Sequence, residues 1–237
     1  MAQNSFMQLT PVMTNAIRID RKSADYPRRL HDLYDPPDSL YIYGNAGLLK
    51  KPMIAIVGSR KASPEGLKNA RHLAQGLSKA GALIVSGMAM GIDSAAHHAV
   101  IELGPGHFTA AILGTGLDLV YPRQNISLSR AIGQQGLLVS ELPMGTGPKA
   151  CHFPRRNRII AALSLGVVVI EAAKRSGSLI TARLAAELGR EVFALPGPVS
   201  NPNSIGCHLL IQQGAKLAFR TSDILEELDF SLKTAFK

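Results

Sequence analysis

From Met53 onward, short apolar runs alternate with amphipathic stretches long enough to be helices. The runs are MIAIVG (53–58), ALIVS (82–86), FTAAIL (108–113), LLVS (137–140), GVVVIEA (166–172) and EVFAL (191–195). Their apolar character is continuous instead of alternating, and β-branched residues recur in them. A strand covered on both faces reads this way, because neither side of its pleat meets water. Such strands interleaved with helices predict an α/β domain over residues 51–228, a mostly parallel sheet with helices on both faces. The helix after IVGSRKAS carries its own start signal, with Ser63 as N-cap and Pro64 at the first helical position.

Both ends have a different texture. Residues 1–50 hold DYPRRL and YDPPDSLYIYGN, with prolines, tyrosines and mixed charge but little period. They are expected to form a short N-terminal extension, an irregular arm with one strand, SLYIYG, laid against the main domain. After Glu227 the segment LDFSLKTAFK is expected to lack partners and fray, leaving a tail at 229–237.

In open α/β sheets, ligands bind beyond the carboxyl ends of the strands. The loops that follow the runs are GSRKAS (58–63), SGMAMGID (86–93), GTGLDLVYPRQN (114–125), ELPMGTGPKACHFPRRN (141–157), EAAKRSGS (171–178) and LPGPVSNPNS (195–204). They are rich in Gly, Ser, Thr, Asn and Pro, and several cluster Lys or Arg. One edge of the sheet is therefore expected to be polar, glycine-lined and basic.

Composition sharpens that picture. The 237 residues hold 26 Lys and Arg against 17 Asp and Glu, a formal charge of +9, which favours a polyanionic partner. Two cysteines, Cys151 and Cys207, offer neither a disulfide framework nor a CxxC site, as expected in a reducing cytoplasm. The N-terminus has no apolar signal region, and no apolar run reaches the roughly 20 residues of a membrane span. The expectation is a soluble cytoplasmic protein without membrane contact.

Several loops carry candidate chemistry. In IVGSRKAS, Gly58 permits close backbone approach, the helix start offers free N–H groups, and Arg60 is a bidentate donor suited to phosphate. An ordinary βα turn with a solvated Arg60 is the alternative. GxGxxG and GxxxxGK[ST] are both missing, which excludes a dinucleotide fingerprint and a nucleotide-hydrolysing P-loop. Asp93 and His97 share a helix face and could hold a metal, but with no further ligand a local Asp–His hydrogen bond is the better reading, and no metal or cofactor is expected. Ser176 or Ser178 could cap the helix that carries Thr181. Glu171, just after a buried strand, fits either a catalytic carboxylate or a structural one.

The stretch KACHFPRRNRII is the most pointed. No acidic residue lies between Glu141 and Glu171, while Lys149, Arg155, Arg156 and Arg158 all do. With no sequence-near carboxylate to pair them, these cations are expected to track a phosphate backbone, and Phe153 to offer a base a stacking face. The alternative is that Phe153 is buried and the arginines form surface ion pairs. Pro154 is expected to fix the chain before a helix beginning near Asn157. Cys151 and His152 are adjacent in what reads as an extended segment, where neighbouring side chains point apart, so they make no thiol dyad.

Taken together, YPRRLHDLYDPPDSLYIYGN, IVGSRKAS, SGMAMGIDSAAHHAV, ILGTGLDLVYPRQN, SELPMGTGPKACHFPRRNRIIAALS, VVVIEAAKRSGSLITARLAAELGREVFALPG and SIGCHLLIQQGAK resemble the ordered motif set of the DNA processing protein A (DprA/Smf) family, from about Tyr26 to Glu227. The resemblance implies an extended Rossmann-like domain. It also implies a recombination mediator with no established catalytic activity, which binds and protects single-stranded DNA and loads the RecA recombinase during natural transformation. Carried onto matching positions, the strand contacts are Arg60, Lys149 and Phe153, and Gly58, Ser59, Gly87, Arg156, Asn157, Ser176, Gly177 and Ser178 line the same pocket. The resemblance further implies a homodimer through the C-terminal segment SIGCHLLIQQGAKLAF.

Set beside the family pattern, the chain has Met90 where a basic residue is common. It is expected to lack most of the helical N-terminal domain, unless the first residues are a remnant of it, and the C-terminal winged-helix-like domain. A second reading is an enzyme on a related fold, a nucleoside-monophosphate phosphoribohydrolase of the lysine decarboxylase-like (LOG) group. Those enzymes carry Pro-Gly-Gly-x-Gly-Thr followed by a catalytic glutamate. Here Lys174, Arg175 and Ser176 stand in place of the double glycine, and Ala182, Arg183 and Leu184 follow Thr181.

Overall fold

A computed structural model describes residues 15–234, with side chains through Leu228. The strands fall on the expected apolar runs: β3 Met53–Val57, β4 Leu83–Ser86, β5 Thr109–Leu113, β6 Leu137–Ser140, β7 Gly166–Val169 and β8 Glu191–Ala194. Two antiparallel strands precede them, β1 Ile17–Asp20 and β2 Ser39–Gly44, and a two-residue parallel strand follows, β9 Lys216–Leu217. Among the described residues, all nine strands join one sheet in the order β1-β2-β6-β5-β4-β3-β7-β8-β9.

Among the described residues, seven α-helices cover both faces: α1 Pro64–Lys79, α2 Ile92–Ile101, α3 Ile126–Gln135, α4 His152–Leu163, α5 Ser178–Glu187, α6 Ile205–Gln212 and α7 Thr221–Thr234. Along β3 the pleat splits its side chains between the two layers. Met53, Ala55 and Val57 pack with α4, α5 and the N-terminal segment, whereas Ile54 and Ile56 pack with α1, α2 and α7. The continuous apolar runs thus have the cause expected of them, strands buried on both sides. The start of α1 is also as read: Ser63 Oγ accepts from the Gly66 amide at 3.0 Å, with Pro64 in the first turn.

Three expectations need correction. Residues 15–50 are more than an arm with one strand, because β1 pairs with β2, and β2 in turn lies antiparallel to β6, extending the main sheet. The part of the arm before residue 15 lies outside the described residues. The tail does not end in an unpartnered coil at Glu227: Leu228 is buried against the α1–α2 layer and α7 continues to Thr234. The last three residues, 235–237, are likewise outside the description. Helix α4 begins at His152, so Phe153 and Pro154 lie in its first turn, where proline is tolerated because that N–H has no helical partner.

From β3 the chain runs outward through β4, β5 and β6, then returns to place β7 on the other side of β3 and continues outward through β8 and β9. The direction of winding therefore reverses between β3 and β7, and a crevice opens beyond their carboxyl ends. Among the described residues no helix is long and apolar enough to cross a membrane.

Candidate functional site

A cavity of about 860 Å³ occupies that crevice. Its walls come chiefly from three loops distant in sequence: the turn Gly58–Lys61 after β3, the segment Pro148–Ala150 leading into α4, and Ala173–Ser178 between β7 and α5. Ala89, Tyr121 and Asn203 are added from the loops after β4, β5 and β8. Helix α4 turns one face to it. Phe153, Arg156, Asn157 and Ile160 follow the i, i+3, i+4 spacing that puts side chains on one side of a helix, and all four line the cavity. Of the residues singled out in the sequence, Gly58, Ser59, Arg60, Lys149, Phe153, Arg156, Asn157, Ser176, Gly177 and Ser178 are brought together here.

Phe153 is the centre of this arrangement. It is half-buried, and its ring lies against Gly114 at the end of β5, where an added Cβ would stand 2.9 and 3.0 Å from two ring carbons. The Arg60 guanidinium lies 5.8 Å from the ring centroid, within cation–π range, and the Tyr121 ring is 5.4 Å away at an angle of 43°. Arg60 and Lys149 are exposed, and among the described residues neither is held in an ion pair. The cavity mouth thus offers an aromatic face and two cations without carboxylate partners among the described residues.

Arg156 has another character. It is only 6% exposed, and its Nη1 donates to the carbonyl oxygens of Gly87 (2.6 Å) and Ile112, while Nε donates to Asn157 Oδ1 (3.2 Å). Its guanidinium fills the space a side chain at Gly87 would need, which is why that position is glycine; Gly87 itself stands behind Arg156, outside the lining. Burial pulls Arg156 down to about 10, partly offset by the carboxylate of Asp93. Arg156 ties the ends of β4 and β5 to α4 and forms the cavity floor, with most of its donors already committed.

Arg155 and Arg158 depart from expectation. They point to the opposite side of α4, where Arg158 pairs with Glu141 and Arg155 lies 3.1 Å from Glu141 and 3.7 Å from Asp35. The absence of acidic residues between Glu141 and Glu171 did not leave them unpaired. The fold supplies Glu141 itself and Asp35 from the N-terminal extension, and neither arginine lines the cavity.

The remaining candidates resolve into structural roles. Asp93 and His97 do not bond to each other. Asp93 accepts the amides of Gly87 (3.1 Å) and Ala89 (3.2 Å), and His97 Nδ1 meets Thr109 Oγ1 at 2.6 Å. Burial pushes the Asp93 carboxyl up and His97 down to about 3. Among the described residues no cluster of His, Cys, Asp or Glu could hold a metal ion. Glu171 accepts both the amide and the hydroxyl of Ser63. Ser176 and Ser178 share a 2.7 Å hydroxyl contact, and Ser176 Oγ also accepts the amide of Ser178, the first residue of α5, at 3.3 Å, so Ser176 caps this helix start as read. Cys151 is exposed at the start of α4 in helical conformation, not in an extended segment, and Cys207 is buried.

Sequence reasoning passed over Tyr121, although its loop was marked. It also passed over Asp35 and Glu141 as partners of α4.

Comparison with known proteins gives relatives that span most of the chain. A family model described as DNA recombination-mediator protein A matches residues 18–229. The DNA processing protein DprA of Streptococcus pneumoniae is 49% identical over 205 residues, which is 86% of this chain and 72% of that protein. An X-ray structure of DprA from Streptococcus pneumoniae superposes with a TM-score of 0.86 at 46% identity, covering 91% of this chain and 75% of that one. A structure concerned with the single-stranded DNA binding mode of DNA processing protein A from Helicobacter pylori superposes with a TM-score of 0.81 at 32% identity, covering 93% and 97%. This chain spans between about half and three quarters of the length of its curated relatives in Streptococcus pneumoniae, Escherichia coli, Bacillus subtilis and Synechocystis.

Proposed function

This chain belongs to the DNA recombination-mediator protein A family, and on that premise we propose that it binds single-stranded DNA in the crevice between β3 and β7, shields it, and loads RecA onto it during natural transformation. The observation that carries the proposal is the convergence of Arg60, Lys149 and Phe153 on one cavity, with both cations free of carboxylate partners among the described residues. A positively charged groove that tracks phosphates, joined to an aromatic face that stacks a base, suits a single strand better than a duplex, whose bases are already stacked. Gly58, Ser59, Asn157, Ser176, Gly177 and Ser178 line the strand's path in this reading, and Arg156 holds the floor. No base edge is read, so sequence preference is weak.

The protein acts by binding, without chemistry of its own. The bonds of Glu171, Asp93 and His97 support this, since Glu171 and Asp93 are both tied to the framework and His97 is tied through its Nδ1. It works as a homodimer through the C-terminal segment, where the exposed apolar side chains of Ile205, Leu217 and Phe219 support self-association.

The test is fluorescence anisotropy with labelled oligo-dT at several salt concentrations, against a duplex competitor. Binding that favours the single strand, falls with log salt and weakens in Phe153→Ala supports the proposal. Equal or better binding to duplex, with Phe153→Ala unchanged, overturns it. RecA loading is read separately, as the rate of RecA nucleation on single strands with and without this protein.

A further inference from the structure

The loop between β5 and α3 is held from several sides. Thr115 Oγ1 donates to the Leu119 carbonyl at 2.6 Å, the Gly116 amide to Thr146 O at 2.8 Å, and Asp118 accepts the Gly145 amide. Leu117, Leu119 and Val120 are buried beneath it. Tyr121 follows directly on this anchored run yet is 44% exposed, with its ring lining the cavity beside Phe153. An aromatic side chain left in water on a well-fixed loop contributes little to the core. What it does present is a preorganised apolar face, at little entropic cost on ligand binding.

We propose that Tyr121 is a second aromatic contact for the single strand, taking the base next to the one stacked on Phe153. The inference rests on the single-strand reading of the crevice and adds to it a residue and a footprint. The two ring planes meet at 43°, so they form a wedge instead of one continuous platform. Successive bases of a single strand can splay over such a wedge, whereas the parallel stack of a duplex cannot. The Tyr121 hydroxyl is not needed for stacking. The ring is, because any base has a π face to lay on it.

The chain has no Trp and only five Tyr, so its intrinsic emission comes from tyrosine, and a base stacked on Tyr121 quenches part of it. The experiment pairs oligo-dT anisotropy with tyrosine emission for wild type, Tyr121→Ala, Tyr121→Phe and Phe153→Ala, each with folding checked by circular dichroism. The expected result is affinity lowered on the order of tenfold in Tyr121→Ala and restored in Tyr121→Phe, with the DNA-induced quench lost in Tyr121→Phe. Wild-type affinity in Tyr121→Ala, or a full quench in Tyr121→Phe, overturns the inference while Phe153→Ala still binds weakly. If Phe153→Ala also binds as wild type, the single-strand reading of the crevice itself has failed. Should Tyr121→Ala fail to fold, the quench comparison between wild type and Tyr121→Phe decides alone.

Discussion

Glu171, just beyond β7, takes both hydrogens that Ser63 has to give, the hydroxyl at 2.5 Å and the amide at 2.9 Å. The carboxylate thereby orients the hydroxyl whose oxygen caps α1, and it fastens that helix start to the strand beside β3. Glu171→Ala is expected to lower stability by about 1–3 kcal/mol, read as a shift in the urea midpoint. Gly66→Ala should act alike, because its Cβ would stand 2.5–2.8 Å from the Glu171 carboxyl atoms. A wild-type midpoint in both variants would remove this contact from the framework.

The two groups at the cavity mouth should separate by salt. Arg60→Ala is expected to weaken single-strand binding by about 1–3 kcal/mol and to reduce the slope against log salt by about one, as the loss of one phosphate contact does. Phe153→Ala should weaken binding by a similar amount with the slope unchanged, because stacking releases no counterion. Anisotropy titrations between low and moderate salt read both quantities. Parallel slopes for all three proteins would mean that Arg60 does not meet phosphate.

The pairs on the far side of α4 predict a different pattern. Arg158 and Glu141 are mostly buried together, so Glu141→Gln leaves a buried cation with only the more distant, exposed Asp35 at 3.9 Å and is expected to cost about 3 kcal/mol of stability. The Arg155–Asp35 contact is exposed and weak. Asp35→Asn should leave stability unchanged and raise single-strand affinity about two- to threefold at low salt, an effect that fades as salt screens it. Chemical denaturation and anisotropy together check this, and equal stability loss in both variants would contradict it.

His97 sets an acid limit. Thr109 Oγ1 gives its proton to the Ile84 carbonyl, so it accepts from His97 Nδ1, and Nε2 is left buried without a partner. Protonation would bury an N–H with no acceptor, and the folded His97 titrates at about 3 against 6.5 in an ordinary histidine. The unfolded chain therefore takes up the proton first. The stability this histidine contributes is whole above pH 6.5 and is lost as pH falls towards 3, with a loss on the order of 3 kcal/mol by pH 4. Urea midpoints from pH 7 to 4 should fall less steeply in His97→Gln than in wild type.

Much of the framework was legible in the sequence because local patterns caused it. The runs from MIAIVG to EVFAL name their strands, since a two-sided burial demands unbroken apolar character, and Ser63-Pro64 marks α1 by chemistry within one turn. The cavity was legible for the same reason: the sheet gathers the loops after its strands at one edge. What failed depended on tertiary neighbours. Arg155 and Arg158 looked unpaired because Asp35 lies far away in sequence, and Arg156 looked like its neighbours although helical spacing turns it inward. β1 was missed because IRID alternates apolar and charged residues and buries only Ile19, and α7 was cut short because its supports lie on α1 and α2.

The pairing of β3 with β7 bears on how the chain is made as well as on what it binds. During synthesis β3 can find β4 early, but its other edge stays bare until Gly166–Val169 leaves the ribosome, with β4, β5 and β6 made in between. The half that emerges first carries a buried-type strand with open hydrogen-bonding groups, the feature that invites pairing with another chain. Closing that seam covers the edge and, in the same event, brings the Gly58–Lys61 turn against Ala173–Ser178. A nascent or truncated chain ending before Gly166 therefore lacks the crevice and is prone to aggregate, so assembly of the site and protection of the edge are one step of folding.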